Sequence, residues 1–431
     1  MTQGSSDSLR NRTWTTAKLA ARLGFAAAKR QLNIELPETN EQAITKALAL
    51  VEQFDGMKGL MLKFGQMASY LNTGLPPEAQ QVLARLQAAG TAMSFDKVEA
   101  QIVSAFGAPP ETLFDTFDTT AFAAASIGQV HRATYNGVPV AVKAQYPGIQ
   151  QMIEADLKNV GMFSQLLFMG TQMDGDGFAH ELRSRLMEEC DYALEAQRQQ
   201  VIGALWNQFP DSRVPQVVQE RSSKVVLTTH FEAGANFYQY IETASQEYRC
   251  RSSLAIFRAV FDGIFHRGFF NGDPHPGNYL FGEDGRVVFL DFGCVRVFPD
   301  ELLVHWKGMA KSILDQKFAD FKVHVHALGL VGNAKKFDWE WQWDLMRHVY
   351  EPFRSTKPYR YHRDYVKESY KRILWENENK RHARMPPTML FVNRLQWGLN
   401  SVMADLGAEA VYADIFREAV ESKVERLPGL I

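Results

Sequence analysis

Three side chains that could take part in chemistry lie close together in the segment NGDPHPGN, residues 271–278. They are Asp273, His275 and Asn278. The segment holds two prolines and two glycines, a composition that excludes a regular helix or strand. An aspartate and an asparagine on one loop can orient an acceptor group and bind a metal ion. His275 lies between the two prolines, and we expect it only to hold the loop by hydrogen bonding.

Two further segments carry the other groups that phosphoryl transfer requires. Lys143 lies in VAVK on a predicted strand, where a lysine can bind phosphate groups. Asp291 begins the tripeptide DFG at the end of another predicted strand, and with Asn278 it offers oxygen atoms to a metal ion. The interval from Asp273 to Asn278 matches that of a kinase catalytic loop. Each motif alone is common, but their order and spacing together indicate a phosphoryl-transfer site.

The elements that must position these residues change character along the chain. From about residue 110, short apolar runs alternate with turn residues, and the segments 130–135 and 138–145 flank an Asn-Gly dipeptide, which predicts a β-hairpin. The segment 252–270 predicts a long apolar helix that leads into the loop. After Pro299 the pattern is helical, with a proline break near residue 386. A small sheet-containing lobe is therefore expected before a mostly helical lobe.

The sequence predicts four regions. These are a loose N-terminus with an amphipathic helix, a helical extension, a sheet-containing lobe with inserted helices, and a helical lobe with the catalytic and metal loops. Their predicted boundaries are 1–40, 41–110, 111–232 and 233–431.

The composition limits the class of protein. A net charge of -2 over 431 residues argues against nucleic-acid binding. The three cysteines are scattered without metal spacing, which fits a reducing compartment. Neither a membrane-spanning apolar stretch nor a secretion signal is expected. We therefore predict a cytoplasmic protein, with peripheral contact at the inner face of a membrane as the alternative.

Two basic segments keep the question of membrane contact open. Residues 13–32 form a basic amphipathic pattern that either packs on its own protein, the favoured interpretation, or lies on a membrane surface. Residues 354–384 hold ten Lys or Arg against four acidic residues, interleaved with aromatics. That segment is either a solvated amphipathic helix or a surface for anionic headgroups or nucleic acid.

Four segments of the chain resemble the UbiB/AarF family of atypical kinases, in the protein-kinase-like superfamily. They are LMLKFGQMAS (60–69) with the family's Lys-x-Gly-Gln signature, AAASIGQVHRA (123–133) with its alanine-rich loop, MEECDYALEAQRQ (187–199) with its acidic motif, and DPHPGN followed by LDFG. The resemblance implies an α+β, protein-kinase-like bilobal fold, with a helical N-terminal extension over the active-site cleft.

The resemblance also implies a role for each matching residue. Lys143 is the implied phosphate-binding lysine, and Glu195 is its implied ion-pair partner. Asp273 is the implied catalytic-loop aspartate. Asn278 and Asp291 are the implied ligands of Mg²⁺.

Further residues receive nucleotide-binding and regulatory roles from the same resemblance. Backbone groups of one loop are implied to cover the phosphates, namely those of Ala125, Ser126, Ile127, Gly128 and Gln129. The hinge near Thr229, with His230 and Phe231, is implied to hold adenine. The regulatory extension is implied to include Lys63, Gln66, Glu189 and Asp191, with Glu189 near Lys63 and Gln66.

Three departures from typical kinases or relatives affect the expected chemistry. Ala123–Ala125 replace a flexible glycine-rich loop, which indicates slow or unusual phosphoryl transfer. Asn271 stands where many relatives have a histidine, and we expect weaker hydrogen-bond support of the loop. Only residues 294–298 separate the DFG tripeptide from Pro299, so a peptide-docking activation segment is not expected.

We therefore expect an Mg²⁺-dependent, ATP-binding atypical kinase or ATPase of the UbiB type. The resemblance implies that it acts on or supports isoprenoid-quinone (ubiquinone) or other lipid metabolism, with a small-molecule or lipid acceptor. ATP or ADP and Mg²⁺ are the implied cofactors. The alternative is a nucleotide-sensing scaffold with little turnover, and a true protein kinase is the least favoured hypothesis.

Overall fold

The structure is a computed structural model that describes residues 93–125, 127–157, 183–184, 186–272, 274–384 and 386–430. These residues form two compact units. The first unit contains the described residues up to Cys190 and the short segment Ser223–Val226, and the second contains the rest. Residues 41–92 of the predicted N-terminal extension, with Lys63 and Gln66, lie outside the described residues, and the described remainder contains a helix over Phe95–Phe106. The four predicted domain boundaries stay predictions.

The first unit is an antiparallel sheet with flanking helices. Its elements are α1 (Phe95–Phe106), α2 (Pro110–Leu113), β1 (Thr116–Phe117), β2 (Ala123–Ala125), β3 (Gly128–Tyr135), β4 (Val138–Gln145) and α3 (Ile149–Leu157). Strand β3 pairs with β1, β2 and β4. Asn136 and Gly137 connect β3 to β4 with φ angles of 53° and 74°, as a two-residue hairpin turn requires. The predicted hairpin is confirmed.

The alternation of side chains along β4 places Lys143 away from the core. Val140, Val142 and Ala144 are buried, whereas Lys143 is half-buried on the opposite face of the strand. At the end of the hairpin, a Cβ at Gly128 would overlap the carbonyl oxygen of Ala144, so only glycine permits this close approach of the two strands.

The second unit is mostly helical. Its helices are α4 (Tyr192–Trp206), α5 (Phe237–Thr243), α6 (Gln246–Phe261), α7 (Asp300–Leu314), α8 (Phe318–Ala327), α9 (Trp339–Val349), α10 (Glu351–Arg354), α11 (Arg363–Tyr370), α12 (Pro387–Leu406) and α13 (Ala413–Glu421). Helix α12 begins after Pro386, so the predicted proline break is confirmed. Among the described helices, none is both long and apolar enough to cross a membrane.

Short strands lie between these helices. They are β5 (Ser212–Arg213), β6 (Val226–His230), β7 (Ala235–Asn236), β8 (Phe269–Asn271), β9 (Tyr279–Phe281), β10 (Val287–Phe289), β11 (Val295–Val297), β12 (Tyr359–Arg360) and β13 (Glu409–Ala410). One sheet has the order β5-β10-β9-β7, in which β5 and β10 are parallel. Strand β8 pairs with β11, and β12 pairs with β13.

The helix that leads to the catalytic loop lies in an aromatic core. Helix α6 continues through a π-helical turn, Asp262–Arg267, and ends at Gly268, whose φ is 71°. The predicted helix at 252–270 therefore ends earlier than expected, because Gly268 takes a left-handed conformation and the following residues form β8. Phe257 and Phe261 pack on Phe353 with ring centroids 5.6 and 5.1 Å apart, which anchors the helix that precedes the loop.

Candidate functional site

The hairpin of β9 and β10 brings Asn278 and Asp291 to the same end of one structure. Tyr279 pairs with Phe289 across the antiparallel strands. One residue further out, the N–H of Leu290 donates to the carbonyl oxygen of Asn278 at 3.0 Å. Asn278 is thus opposite Leu290, and Asp291 is the next residue, so the two predicted metal ligands lie at the same end of the hairpin. An amide and a carboxylate are hard oxygen donors, so this pair fits Mg²⁺ in its chemistry.

The Asp291 turn is held by a hydrogen bond within the turn and by another from Asn271, the last residue of β8. The N–H of Gly293 donates to Oδ1 of Asp291 at 2.9 Å, which orients the carboxylate. The side-chain amide of Asn271 donates to the backbone carbonyl of Asp291. Asn271 therefore supplies a donor directly to the metal loop, and the expectation that it supports the catalytic loop less well than a histidine stays a prediction.

The catalytic loop itself is shaped by His275. Its Nδ1 accepts a hydrogen bond from the N–H of Gly277 at 3.0 Å, and its carbonyl oxygen accepts the N–H of Asn278 at 2.9 Å. These bonds close the short 3-10 turn Pro276–Asn278, and the predicted structural role of His275 is confirmed. Asp273 lies outside the described residues, so its catalytic role stays a prediction.

A glycine on a distant helix lies against the catalytic loop. A Cβ at Gly398, in α12, would overlap Cγ of Pro274, the residue after Asp273. Helix α12 therefore supports the loop from a position 124 residues later in the chain, the difference between 398 and 274. A single glycine in a long helix carries no sequence signal of such a contact, and we did not predict it.

Helix α4 presents buried polar side chains. Oδ1 of Asp191 accepts the N–H groups of Ala193 and Leu194, both at 3.1 Å, and so caps the helix. Glu195, one turn later, is only 2% exposed. A buried carboxylate needs a compensating partner, as the predicted ion pair with Lys143 would provide. Glu195 belongs to the second unit and Lys143 to the first, and their pairing stays a prediction.

The alanine-rich loop is part of the sheet in the first unit. Ala125 pairs with Gly128, and Ser126 lies outside the described residues. The carbonyl of Ile127 accepts the N–H of Tyr146 at 2.9 Å. Ala123–Ala125 are paired with β3, and the stiffness expected from three alanines stays a prediction.

Two other predicted nucleotide-binding positions have identified hydrogen bonds. The side chain of Gln129 is buried and bonds to both backbone groups of Met93, at 2.8 and 3.1 Å. In the hinge, the N–H of His230 donates to the carbonyl of Gln216 at 2.8 Å, and both His230 and Phe231 are half-buried. Their nucleotide-binding roles stay predictions.

Basic residues of the segment 354–384 form several ion pairs. Arg363 pairs with Asp405 at 2.9 Å, and Arg372 pairs with Glu368 at the same distance. Lys371 contacts Glu376 at 2.6 Å. The helical residues of this segment are α11 and the π-helical turn Lys371–Trp375, while Tyr359–Arg360 form β12, so the expected amphipathic helix is shorter than the segment. The alternative of a surface for anionic headgroups or nucleic acid stays a prediction.

Comparison with known proteins assigns the chain to a family. Residues 85–321 match the ABC1 atypical kinase-like domain. The chain is 29% identical over 432 residues to the mitochondrial atypical kinase COQ8 of Saccharomyces cerevisiae, covering 96% of this chain and 85% of that protein. It is 29% identical over 417 residues to the probable serine/threonine-protein kinase abkA of Dictyostelium discoideum, covering 90% of this chain and 72% of that protein.

A solved structure agrees with these relatives. The Mycobacterium tuberculosis protein Rv3197, solved as a complex with erythromycin, matches with a TM-score of 0.66 at 25% sequence identity. The match covers 83% of this chain and 91% of that chain. The predicted α+β kinase-like fold and the predicted phosphotransferase class are confirmed. The chain belongs to the ABC1 atypical kinase-like family, the UbiB/AarF family that its motifs indicated.

Proposed function

We propose that this enzyme binds ATP with Mg²⁺ and either transfers the terminal phosphoryl group to a small-molecule or lipid acceptor or hydrolyses ATP. The observation that carries the proposal is the position of Asn278 and Asp291 at one end of the β9–β10 hairpin. Asn271 and Gly293 hold the backbone and the carboxylate of Asp291 in place. Ligands that are already held in place lose less conformational entropy when a metal ion binds, which favours binding.

Each predicted residue has a defined task in this proposal. Asn278 and Asp291 would hold Mg²⁺, which when bound supplies positive charge to the nucleotide phosphates. Lys143 would add a second cation to the phosphates, from the face of β4 opposite the core. Asp273 would orient the hydroxyl group of the acceptor, or a water molecule, and accept its proton.

The segment after the DFG tripeptide supports an acceptor other than a peptide. Residues Val295–Val297 form β11 and pair with β8, and the N–H of Phe298 donates to the carbonyl of Gly268 at 2.8 Å. Helix α7 begins directly afterwards, at Asp300. The backbone between Asp291 and α7 is thus bound to β8 and its neighbours, without the long loop on which protein kinases dock peptides. Efficient transfer to a peptide would contradict this part of the proposal.

We place the acceptor in isoprenoid-quinone or other lipid metabolism. The support for this assignment is membership of the UbiB/AarF family alone. Lipid stimulation of turnover is therefore a necessary part of the test, and lipid profiles that do not change when the gene is deleted would contradict the assignment.

A nucleotide-sensing scaffold with little turnover is the second candidate. It is favoured by the pairing of Ala123–Ala125 with β3, which restricts the segment expected to close over the phosphates. Slow turnover with tight nucleotide binding would be its signature.

The test measures phosphate release from ATP in the presence of Mg²⁺, with and without liposomes that carry a phenol resembling a quinone precursor. The variants are Asp291→Asn and Asp273→Asn, and the matched control is Asp284→Asn, in the turn at the other end of the same hairpin. We expect the unmodified protein to release phosphate from ATP, and we expect the lipid to raise that rate. Asp291→Asn and Asp273→Asn should abolish phosphate release, whereas Asp284→Asn should retain it. If Mg²⁺-dependent nucleotide binding occurs without turnover, the scaffold is the better description. Equal turnover in Asp291→Asn would overturn the proposed site.

A further inference from the structure

Arg198 lies on α4, and its guanidinium bonds to the Asp291 turn. Nη1 of Arg198 donates to the carbonyl oxygen of Gly293 at 3.0 Å. Arg198 is 9% exposed, although a buried guanidinium is strongly disfavoured unless it is hydrogen-bonded. The bond joins residues 95 positions apart in sequence. Neither the family motifs nor the helical pattern indicated it.

Gly293 is bonded on both of its backbone groups. Its N–H binds the carboxylate of Asp291, and its carbonyl binds Arg198. The next carbonyl, that of Cys294, accepts the N–H of Gly272 at 2.7 Å. Arg198 therefore binds the turn two residues after the Asp291 carbonyl to which Asn271 donates, and a movement of α4 would shift the residue that orients the Asp291 carboxylate.

Arg198 also stands one turn after Glu195 on the same helix. Residues three apart face the same side of a helix, so Glu195 and Arg198 share the buried face of α4. Glu195 is the predicted partner of the phosphate-binding lysine, and Asp291 is a predicted metal ligand. The bond from Arg198 to Gly293 therefore connects the helix that carries Glu195 to the turn that carries Asp291.

We propose that Arg198 is a positioning residue that couples helix α4 to the Asp291 turn, so that Glu195 and Asp291 reach their binding positions together. This inference rests on the proposed function, since it assumes that Asp291 binds Mg²⁺ with the nucleotide. A charge-assisted bond suits the task, because it is stronger and more directional than a bond between neutral groups. An arginine also remains charged at every accessible pH.

The test is the Mg²⁺ dependence of nucleotide binding, measured with a fluorescent ADP analogue over a range of Mg²⁺ concentrations. Arg198→Met removes the donor and keeps most of the apolar stem. We expect it to raise the Mg²⁺ concentration at half-saturation about tenfold, the loss of one charge-assisted hydrogen bond. Affinity for the analogue without Mg²⁺ should change less than about twofold. Arg198→Lys, which keeps a donor, should show a smaller shift of about threefold.

The matched control is Arg249→Met. Arg249 is a half-buried arginine of the same unit that donates to the backbone carbonyls of Ala244 and Ile241, away from the Asp291 turn. Arg249→Met should lower the melting temperature of the protein without changing the Mg²⁺ concentration at half-saturation. An equal shift in Arg249→Met would show that general destabilisation is the cause and would overturn the inference.

Further outcomes separate this inference from the proposed function. If the unmodified protein requires Mg²⁺ for tight binding but the Mg²⁺ concentration at half-saturation is unchanged in Arg198→Met, only the coupling role of Arg198 is disproved. If nucleotide binding to the unmodified protein does not depend on Mg²⁺, both the inference and the proposed function are disproved. If Arg198→Met does not fold, Arg198→Lys alone decides, and an unshifted half-saturation overturns the coupling. In a protein that already carries Asp291→Asn, adding Arg198→Lys should not change the affinity for the ADP analogue measured with Mg²⁺.

Discussion

The side-chain amide of Asn271 donates a hydrogen bond to the backbone carbonyl of Asp291. This bond spans 20 residues and ties the end of β8 to the start of the metal turn. The donor stands at the position where many relatives have a histidine. The metal turn is thus held by Asn271 at the carbonyl of Asp291 and by Arg198 at the carbonyl of Gly293.

Asn271→Ala should weaken Mg²⁺-dependent nucleotide binding by about three- to tenfold and unfolding stability by about 1 kcal/mol. The reason is that the Asp291 carbonyl loses its side-chain donor. Binding titrations and urea unfolding measure the two effects. Asn379→Ala is the control, because Asn379 is a buried asparagine that donates to the carbonyl of Asp338 at 2.8 Å. A loss of stability in both variants with unchanged binding in both would contradict the role of Asn271.

Gly398→Ala should displace the catalytic loop, because the new Cβ would overlap Pro274. We expect turnover to fall by at least about tenfold, since small displacements of reacting groups have large effects on rate. Gly308→Ala is the matched control, since a Cβ there would overlap the ring of His324 in another part of the second unit. Both variants should lose about 1–3 kcal/mol of stability, as overpacked sites do. Turnover that falls equally in both would show that lost stability alone is the cause.

Asp191→Ala should destabilise the protein by about 1 kcal/mol, because the first N–H groups of α4 lose their cap. Asp191→Ser should restore most of that stability, since serine is also a good cap. The family motif implies a second role for Asp191, towards the N-terminal extension. If Asp191→Ser restores stability but leaves ATP turnover altered, the second role is supported. If Asp191→Ser restores both stability and ATP turnover, helix capping alone accounts for the role of Asp191.

Stability should decrease as the pH falls below 6.5. Burial lowers the pKa of His324 below its ordinary value of 6.5, and the neighbouring His305 lowers the pKa further, while Asp320 opposes the shift. Nδ1 of His324 lies 3.3 Å from Nδ1 of His305. A histidine with a lowered folded-state pKa binds fewer protons than it does in the unfolded chain. Its contribution is therefore complete above pH 6.5 and is lost below it.

Urea unfolding of His324→Gln at pH 7.5 and 5.5 checks this prediction. The variant should lose less stability than the unmodified protein between the two pH values. His326→Gln, on the exposed side of the same helix, is the control and should keep the original pH dependence. Burial also lowers the pKa of His131 and His348, so part of the acid sensitivity should remain in His324→Gln. An unchanged pH dependence in His324→Gln would contradict the prediction.

Local signals in the sequence were sufficient for much of the fold. The Asn-Gly turn between β3 and β4, the proline break before α12 and the structural role of His275 all depend on neighbouring residues. The end of α6 was misplaced because apolar residues continue past Gly268 into β8, and apolar content alone does not separate a helix from a buried strand.

The contacts that support the site could not be predicted in the same way. Arg198 meets Gly293, and Gly398 meets Pro274, across long separations that no pattern within one element encodes. The placement of Asn278 and Asp291 at the same end of one hairpin was predictable, because the two residues flank its paired strands. The roles of Lys143, Glu195 and the other predicted site residues stay predictions, and Asp273, Ser126, Lys63 and Gln66 lie outside the described residues.

The most direct test of the central claim is calorimetric titration of ADP with and without Mg²⁺. It compares the unmodified protein, Asn278→Ala, Asp291→Asn and the hairpin control Asp284→Asn. We predict that Mg²⁺ strengthens ADP binding by at least about tenfold in the unmodified protein and in Asp284→Asn, and by less than about twofold in the other two variants. An Mg²⁺ effect of equal size in all four proteins would contradict the assignment of Asn278 and Asp291 as the metal site.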